Sequence, residues 1–473
     1  MDAICQSLHH YVSDPTQHNA QSLESILNDA IRRTLNDNAF RSQLGCSADF
    51  WKHTHQALGL HTTASTFTFH QVCVIALLKL SRNAVAHERV NQQLAIAYGI
   101  LHDTEKLMVP NLQNYEEQAI LLLRVGTQAV CNMLTGNDLD LEKIWKEWMR
   151  DADRGRLYCQ LLNMNDETIM MSTLVLVLNC IKRSPERCRL MIKSKTGRTM
   201  LYAILDDMDR LHSQEHNKNF ELGYAIVSEL MDNGHFVDLY RSIESQDDAP
   251  GRLTMLIKLL DSKIHADSSQ GIPGFMAHKE LRKLAKLVTQ FCHQGVAALE
   301  AAHQGDDADA DTLSGTYTSL VLVLQMTSSL LTRECADPEF SAMLGEEKAL
   351  PAVIDLLRHC ETVQTTSFQY VKRDSVRLIG ALCYHNRQMQ DETREQGGIP
   401  LVLAQCKIDD ANPYIREYAV LAIRNILEEN DANQALIAEL QPMQAVQTPE
   451  LDEMGLETRL EDGKVKIVKK VGP

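Results

Sequence analysis

The side chains able to do chemistry fall into a few short clusters. Asp307, Asp309 and Asp311 alternate like the first ligands of a calcium loop. That loop also needs glycine at position six and a bidentate glutamate at position twelve. Thr312 and Thr318 stand there, so the run reads as a solvated acidic loop. His9-His10, His53-x-His55 and Cys292-His293 are the tightest metal-type clusters. A structural zinc site takes four ligands from paired short motifs, and no second pair lies at a matching spacing. Cys73, Cys131, Cys180 and Cys383 sit inside apolar runs, as reduced thiols in a core do. The glycine-rich phosphate cradles, the serine elbow and the zinc-protease motif are missing. The chain therefore reads as non-enzymatic, with no metal and no cofactor.

Asparagine gives the sharper signal, because one amide both donates and accepts. Asn83, Asn132, Asn179 and Asn425 each sit near the end of an apolar helical segment. The first three are 49 and 47 residues apart, and Ser228 lies 49 beyond Asn179. Ala381 precedes Asn425 by 44. Nine residues after Asn83, Ala381 and Asn425 come Gln92, Gln390 and Gln434. Two uses fit these amides. They could grip the backbone of an extended peptide in a groove, or tie neighbouring loops together.

The elements that would position them are helices. Aromatics make up 5% of the 473 residues, with 22 glycines and 12 prolines, which disfavours an all-β fold. From Pro413 to about Glu429, apolar residues recur at helical spacing, with Asn412 expected as N-cap and Pro413 at the first helical position. Gly397-Gly398-Ile399-Pro400 breaks and restarts the chain, and Leu350-Pro351 repeats the restart 49 residues earlier. A period of about 40–47 residues is that of armadillo and HEAT repeats. The expected fold is an all-α armadillo/HEAT-type α-solenoid of stacked helices. Residues 240–345 resist phasing. Trp145 and Trp148, at i and i+3, read as core rather than as an interface anchor.

The net charge of −16 disfavours nucleic acid and anionic membrane, and favours basic or neutral protein surfaces as partners. The longest apolar runs are far short of the ~20 residues of a membrane span, so no membrane insertion is expected. No secretory leader is evident.

The C-terminal region carries a more specific pattern. Arg377-Leu378-Ile379-Gly380-Ala381-Leu382-Cys383-Tyr384-His385-Asn386 is followed by Gly398-Ile399-Pro400-Leu401-Val402-Leu403 and then Asp409-Asp410-Ala411-Asn412-Pro413-Tyr414-Ile415-Arg416-Glu417-Tyr418-Ala419. This stretch resembles the ataxin-10 family over about 371–440, with continuation towards Lys470. Tyr418 stands where that family favours Trp. The resemblance implies a cytoplasmic, non-enzymatic armadillo-like scaffold involved in the regulation of cytokinesis and the cell cycle. A fungal relative carries a copper-transport name, and no motif here supports copper. Importin-type adaptors carry Trp one turn before each asparagine, where this chain has Lys79, Gln128, Val175 and Leu421.

The expected organisation is divergent repeats over 1–365, a signature unit over 366–440 and a flexible tail or short strand over 441–473. Candidate partner-binding residues are Asn83, Asn132, Asn179 and Asn425, together with Asp409, Asp410, Arg416 and Glu417. The last four are read as an acidic turn capped by Asn412, with Arg416 and Glu417 pairing across to the next repeat. Protein partners are expected, homo-oligomerisation is left open, and an adaptor that grips an extended peptide is the alternative to a scaffold.

Overall fold

A computed structural model describes residues 2–61, 69–245, 250–304, 310–334, 337–362, 370–439, 451, 454–461 and 464–469. Among them are 25 α-helices and one two-stranded hairpin. The chain divides into two units. Unit 1 holds Met1–Ala266 and Gly274–Glu280, and unit 2 holds Asp267–Pro273 and Leu281–Pro473.

In unit 1 most helices pack on the one three places further along the chain. One row runs through Gln17–Asn36, Phe69–Ala84, Glu117–Leu134, Glu167–Ile181 and Lys218–Asp232. This is the row that carries the asparagines. A companion row runs through Asp2–Ser13, Ala48–Gly59, Ile100–Met108, Ala152–Leu162, Lys195–Leu211 and Pro250–Ala266. A short helix such as Arg89–Ala97 or Pro185–Lys193 completes each three-helix repeat. Unit 2 repeats the pattern, with Ala310–Leu331, Val371–Cys383 and Ile415–Leu427 packed in series. The segment that resists phasing in the sequence contains the longest helix, His278–Gln304, of 27 residues.

The core is the apolar layer between the rows. Trp51, Trp145, Trp148, Tyr158 and Phe236 are each at most 1% exposed. Trp145 and Trp148 thus pack inside, as their spacing suggests.

Sharp corners after the asparagine row need left-handed backbone. Gly136 and Gly234 supply it after two of these helices, at φ +78° and +71°. His87, Arg183, His385 and Glu429 adopt it at the equivalent corners, at φ +48° to +61°. A side chain there costs of order 1 kcal/mol, which the packing on both sides must offset.

At the C-terminal end, Leu456–Glu461 and Lys464–Lys469 pair antiparallel, Leu456 opposite Lys469 and Glu461 opposite Lys464. The lysine-rich tail thus contributes one strand of a pair.

Candidate functional site

The last four carbonyls of a helix lack an internal partner. In the asparagine row the next repeat supplies one. Asn132 Nδ2 donates to the carbonyl of Arg82 at 3.1 Å, and Asn425 Nδ2 to that of Gly380 at 2.9 Å. Asn83 and Asn179 reach hydroxyls instead, Thr34 Oγ1 at 3.1 Å and Thr135 Oγ1 at 2.9 Å. At Ser228 the donor comes from the other side: Lys263 Nζ bonds the serine at 2.6 Å and pairs with Asp232 at 2.8 Å.

The glutamines nine residues on stitch in the opposite direction. Gln92 Nε2 bonds the carbonyls of Asn132 and Thr135 at 2.8 and 2.9 Å. Gln390 Nε2 bonds those of Asn425 and Cys383 at 2.9 and 3.2 Å. Gln434, in the last described helix, bonds only Leu427 of its own repeat. At Gln92 and Gln390 the recurring offset of nine therefore marks an inter-repeat clamp.

Asn425 is 7% exposed, so truncating it leaves a nearly buried carbonyl unsatisfied. Asn425→Ala is expected to cost about 1–3 kcal/mol. Chemical denaturation would measure it, and a change under about 0.5 kcal/mol would show that the clamp adds nothing.

The same row carries a groove. Gln128, Cys131, Asn132, Met171, Ser172, Val175, Lys218, Glu221 and Leu222 line an open recess of about 500 Å³ across three successive helices. Helix Glu167–Ile181 is apolar nearly all round, yet Met171 and Val175 stay half-exposed in this recess. The all-round apolar pattern was the sequence signal for a second covered face. Arg82 Nη1 holds Gln128 Oε1 at 2.7 Å. Gln128 Nε2 and Asn132 Oδ1 make no hydrogen bond among the described residues. Burial pushes the neighbouring Cys131 thiol up, against the pull of Thr135 and Asn179.

The signature turn forms a second recess, of about 360 Å³, lined by Asp409, Asp410, Arg416, Glu417 and their neighbours. Two sequence expectations change here. Asn412 does not cap the helix, which begins at Ile415 after Tyr414 in the left-handed region. Asn412 instead accepts the Tyr370 N–H at 3.1 Å and donates to Asp409 Oδ2 at 2.9 Å, bridging two repeats. Proline cannot pin the helix start because Tyr414 turns the chain after it. Arg416 and Glu417 pair with each other at 3.3 Å, both exposed, rather than across to the next repeat. The neighbour contact falls to Tyr418, whose ring lies 5.6 Å from the Arg377 guanidinium. Ile408 and Tyr414 stand 74% and 71% exposed at the rim.

The eight candidate residues thus divide between the units. Asn83, Asn132 and Asn179 belong to unit 1, and the other five to unit 2. Of the histidine clusters, His55 bonds Asp103 at 2.5 Å and His9 meets the His53 ring at 5.4 Å. Asp307, Asp309 and the side chain of Asp311 lie outside the described residues. No helix among the described residues is long and apolar enough to cross a membrane.

Fold and clamps together define an all-α protein of armadillo-type three-helix repeats. The chain is similar to ataxin-10 proteins over most of its length, and its C-terminal region matches a domain model of that family. A family model described as the spinocerebellar ataxia type 10 protein domain matches residues 371–468. Ataxin-10 of Pongo abelii is 26% identical over 407 residues, covering 80% of this chain and 77% of the relative. The ataxin-10 homolog of Dictyostelium discoideum is 45% identical over 97 residues, 20% of this chain and 16% of the relative. A chain from a structure of the cadherin–β-catenin interaction aligns with 93% of this chain and 71% of its own, at 12% identity and a TM-score of 0.39.

Proposed function

We propose that this protein is a non-catalytic scaffold that holds protein partners on the surface of its stacked repeats. The observation that carries this is the groove over Met171, Val175 and Leu222, half-exposed apolar surface gathered on three helices of the asparagine row. Apolar anchors with a polar rim are what a protein interface needs. A role in cytokinesis and the cell cycle, in the cytoplasm, rests on the resemblance to ataxin-10 alone. The signature turn, with Asp409, Asp410, Arg416 and Glu417 around exposed Ile408 and Tyr414, is the second partner surface under this reading.

A narrower reading makes the chain an adaptor for an extended peptide. One observation favours it: Gln128 Nε2 and Asn132 Oδ1 offer a free donor and acceptor to a peptide backbone in the groove. The amide nitrogens of Asn83, Asn132, Asn179 and Asn425 are engaged in clamps, so they do not supply the grip.

Affinity purification with crosslinking tests both. Contacts are expected on helices Glu117–Leu134, Glu167–Ile181 and Lys218–Asp232. Val175→Arg should lower capture of a groove partner at least ten-fold and move the thermal midpoint by less than about 2 °C, since the site is half-exposed. Undiminished capture by that variant, with contacts confined to other surfaces, would sink the groove reading.

A further inference from the structure

The net charge of −16 points to basic or neutral partners, but the charge is unevenly spread. Between Lys182 and Arg198 seven cations stand against one acid, Glu186. The fold sets this run against helix Asp138–Arg150, which brings Lys143, Lys146 and Arg150 together with Asp138, Asp140, Glu142 and Glu147. Of these acids, Asp138 faces Arg187 at 4.0 Å and Glu147 pairs with Arg154 at 2.6 Å. Two contacts fix the junction. Trp145 Nε1 donates to the carbonyl of Arg187 at 3.2 Å. Ser194, between Lys193 and Lys195, places its Oγ 3.1 Å from Met149 Sδ, one residue before Arg150.

Trp145 and Met149 point inward, so the other side of that helix carries the cations outward. Part of the charge is already balanced. Lys146 pairs with Glu142 at 2.6 Å and Arg189 with Glu186 at 2.7 Å. Arg187 is buried and spends its guanidinium on the Cys180 carbonyl, and Arg198 caps the Lys193 carbonyl at 2.7 Å. Lys143, Arg150, Lys193 and Lys195 are exposed and have no ion-pair partner among the described residues. Arg150 and Lys193 close their helices, where a cation favours the helix dipole. Lys143 lies mid-helix and Lys195 opens a helix, where a cation gains nothing from it.

We propose that this ridge docks a short acidic protein segment, with several Asp or Glu within about ten residues. Lys143 and Arg150 lie about 10 Å apart along their helix, a span such a segment covers. A nucleic-acid duplex or anionic membrane extends well beyond the ~8 Å screening length and meets the strongly acidic remainder of the chain. A short segment does not. The ridge is separate from the groove, so the two readings stand or fall independently.

The test uses the full chain and a fluorescein-labelled (Glu-Asp)5 decapeptide, read by anisotropy. Saturable binding is expected at 50 mM salt and marked weakening at 200 mM. Lys143→Glu/Lys193→Glu/Lys195→Glu should lower affinity at least ten-fold, and the matching Gln triple variant by a smaller factor. Lys52→Glu/Lys106→Glu/Lys407→Glu makes the same charge change elsewhere and should alter affinity less than three-fold. The Gln variant carries the result if the Glu variant fails to fold, judged by its thermal midpoint. Val175→Arg should leave peptide binding unchanged. Equal loss in the ridge and control variants would overturn the proposal. So would a 20-base-pair duplex or phosphatidylserine vesicles outcompeting the peptide.

Discussion

Glu105→Ala is expected to destabilise unit 1 by about 3–5 kcal/mol, the cost of breaking a buried charge pair from one side. Glu105 lies on helix Ile100–Met108 with its side chain 5% exposed. Its Oε1 accepts from Trp148 Nε1 at 2.7 Å and Tyr158 Oη at 2.9 Å. Its Oε2 accepts from Arg154 Nη2 at 2.7 Å and Nε at 3.2 Å. One carboxylate therefore satisfies donors from two further helices, Asp138–Arg150 and Ala152–Leu162. Burial, with the Glu105 charge beside it, pushes the Tyr158 hydroxyl well up, so it stays a donor. Removing the carboxylate strands the Arg154 guanidinium, whose other partner is Glu147 at 2.6 Å, along with two buried donors. The first thermal transition should fall by roughly 10 °C. Glu105→Gln keeps one acceptor and should cost less. A loss under about 1 kcal/mol in Glu105→Ala would mean that water replaces the carboxylate at little cost.

Gly197→Ala is the second large effect, expected near 3 kcal/mol from overpacking. A Cβ at this position would stand 2.1 Å from the Met191 carbonyl oxygen and 2.7 Å from its carbon. Those are backbone atoms, so no side chain can swing aside. Ser194 holds both segments: it ends helix Pro185–Lys193, and its Oγ accepts the Gly197 N–H at 2.9 Å to start Lys195–Leu211. Ser194, between Lys193 and Lys195, also meets Met149, the neighbour of Arg150. Gly59→Ala is the control, because no heavy atom lies within 4 Å of its Cβ position. That variant should change stability by less than about 0.5 kcal/mol, since Gly59 is the last residue of its helix. Urea unfolding of both variants checks the contrast, and similar midpoints would remove close packing as the reason for Gly197.

Much of the fold was legible because a helix writes its pattern locally. Apolar recurrence every three to four residues marks one face within about a dozen positions. The break at Gly397-Gly398-Ile399-Pro400 and the 49-residue return from Pro351 to Pro400 locate a repeat without any partner being known. The interior tryptophans and thiols followed from the same runs. The offset from Asn83 to Gln92 and from Ala381 to Gln390 was visible too, though not what it did. Each amide acts on a residue some 35 to 50 positions away, and sequence spacing does not state which carbonyl a side chain will reach.

Asn412 and Ser228 show this limit most clearly. Asparagine before proline favours a helix cap locally, yet the Tyr370 N–H, 42 residues away, claims the side chain. Ser228 stands at the repeat spacing without an amide, and Lys263 from another helix supplies the bond there. The histidine, arginine and glutamate corners at 87, 183, 385 and 429 gave no turn signal, because packing rather than residue preference holds them left-handed.

The sequence by itself thus determined helical rows, their period and a buried apolar layer, since those depend on neighbours within a few turns. Only the tertiary structure decided which amides clamp, that Met171, Val175 and Leu222 share a groove, and that the segment of Lys193 and Lys195 packs against the helix of Lys143 and Arg150. Those facts depend on how one repeat is rotated onto the next, and that rotation is set by side chains meeting across the stack.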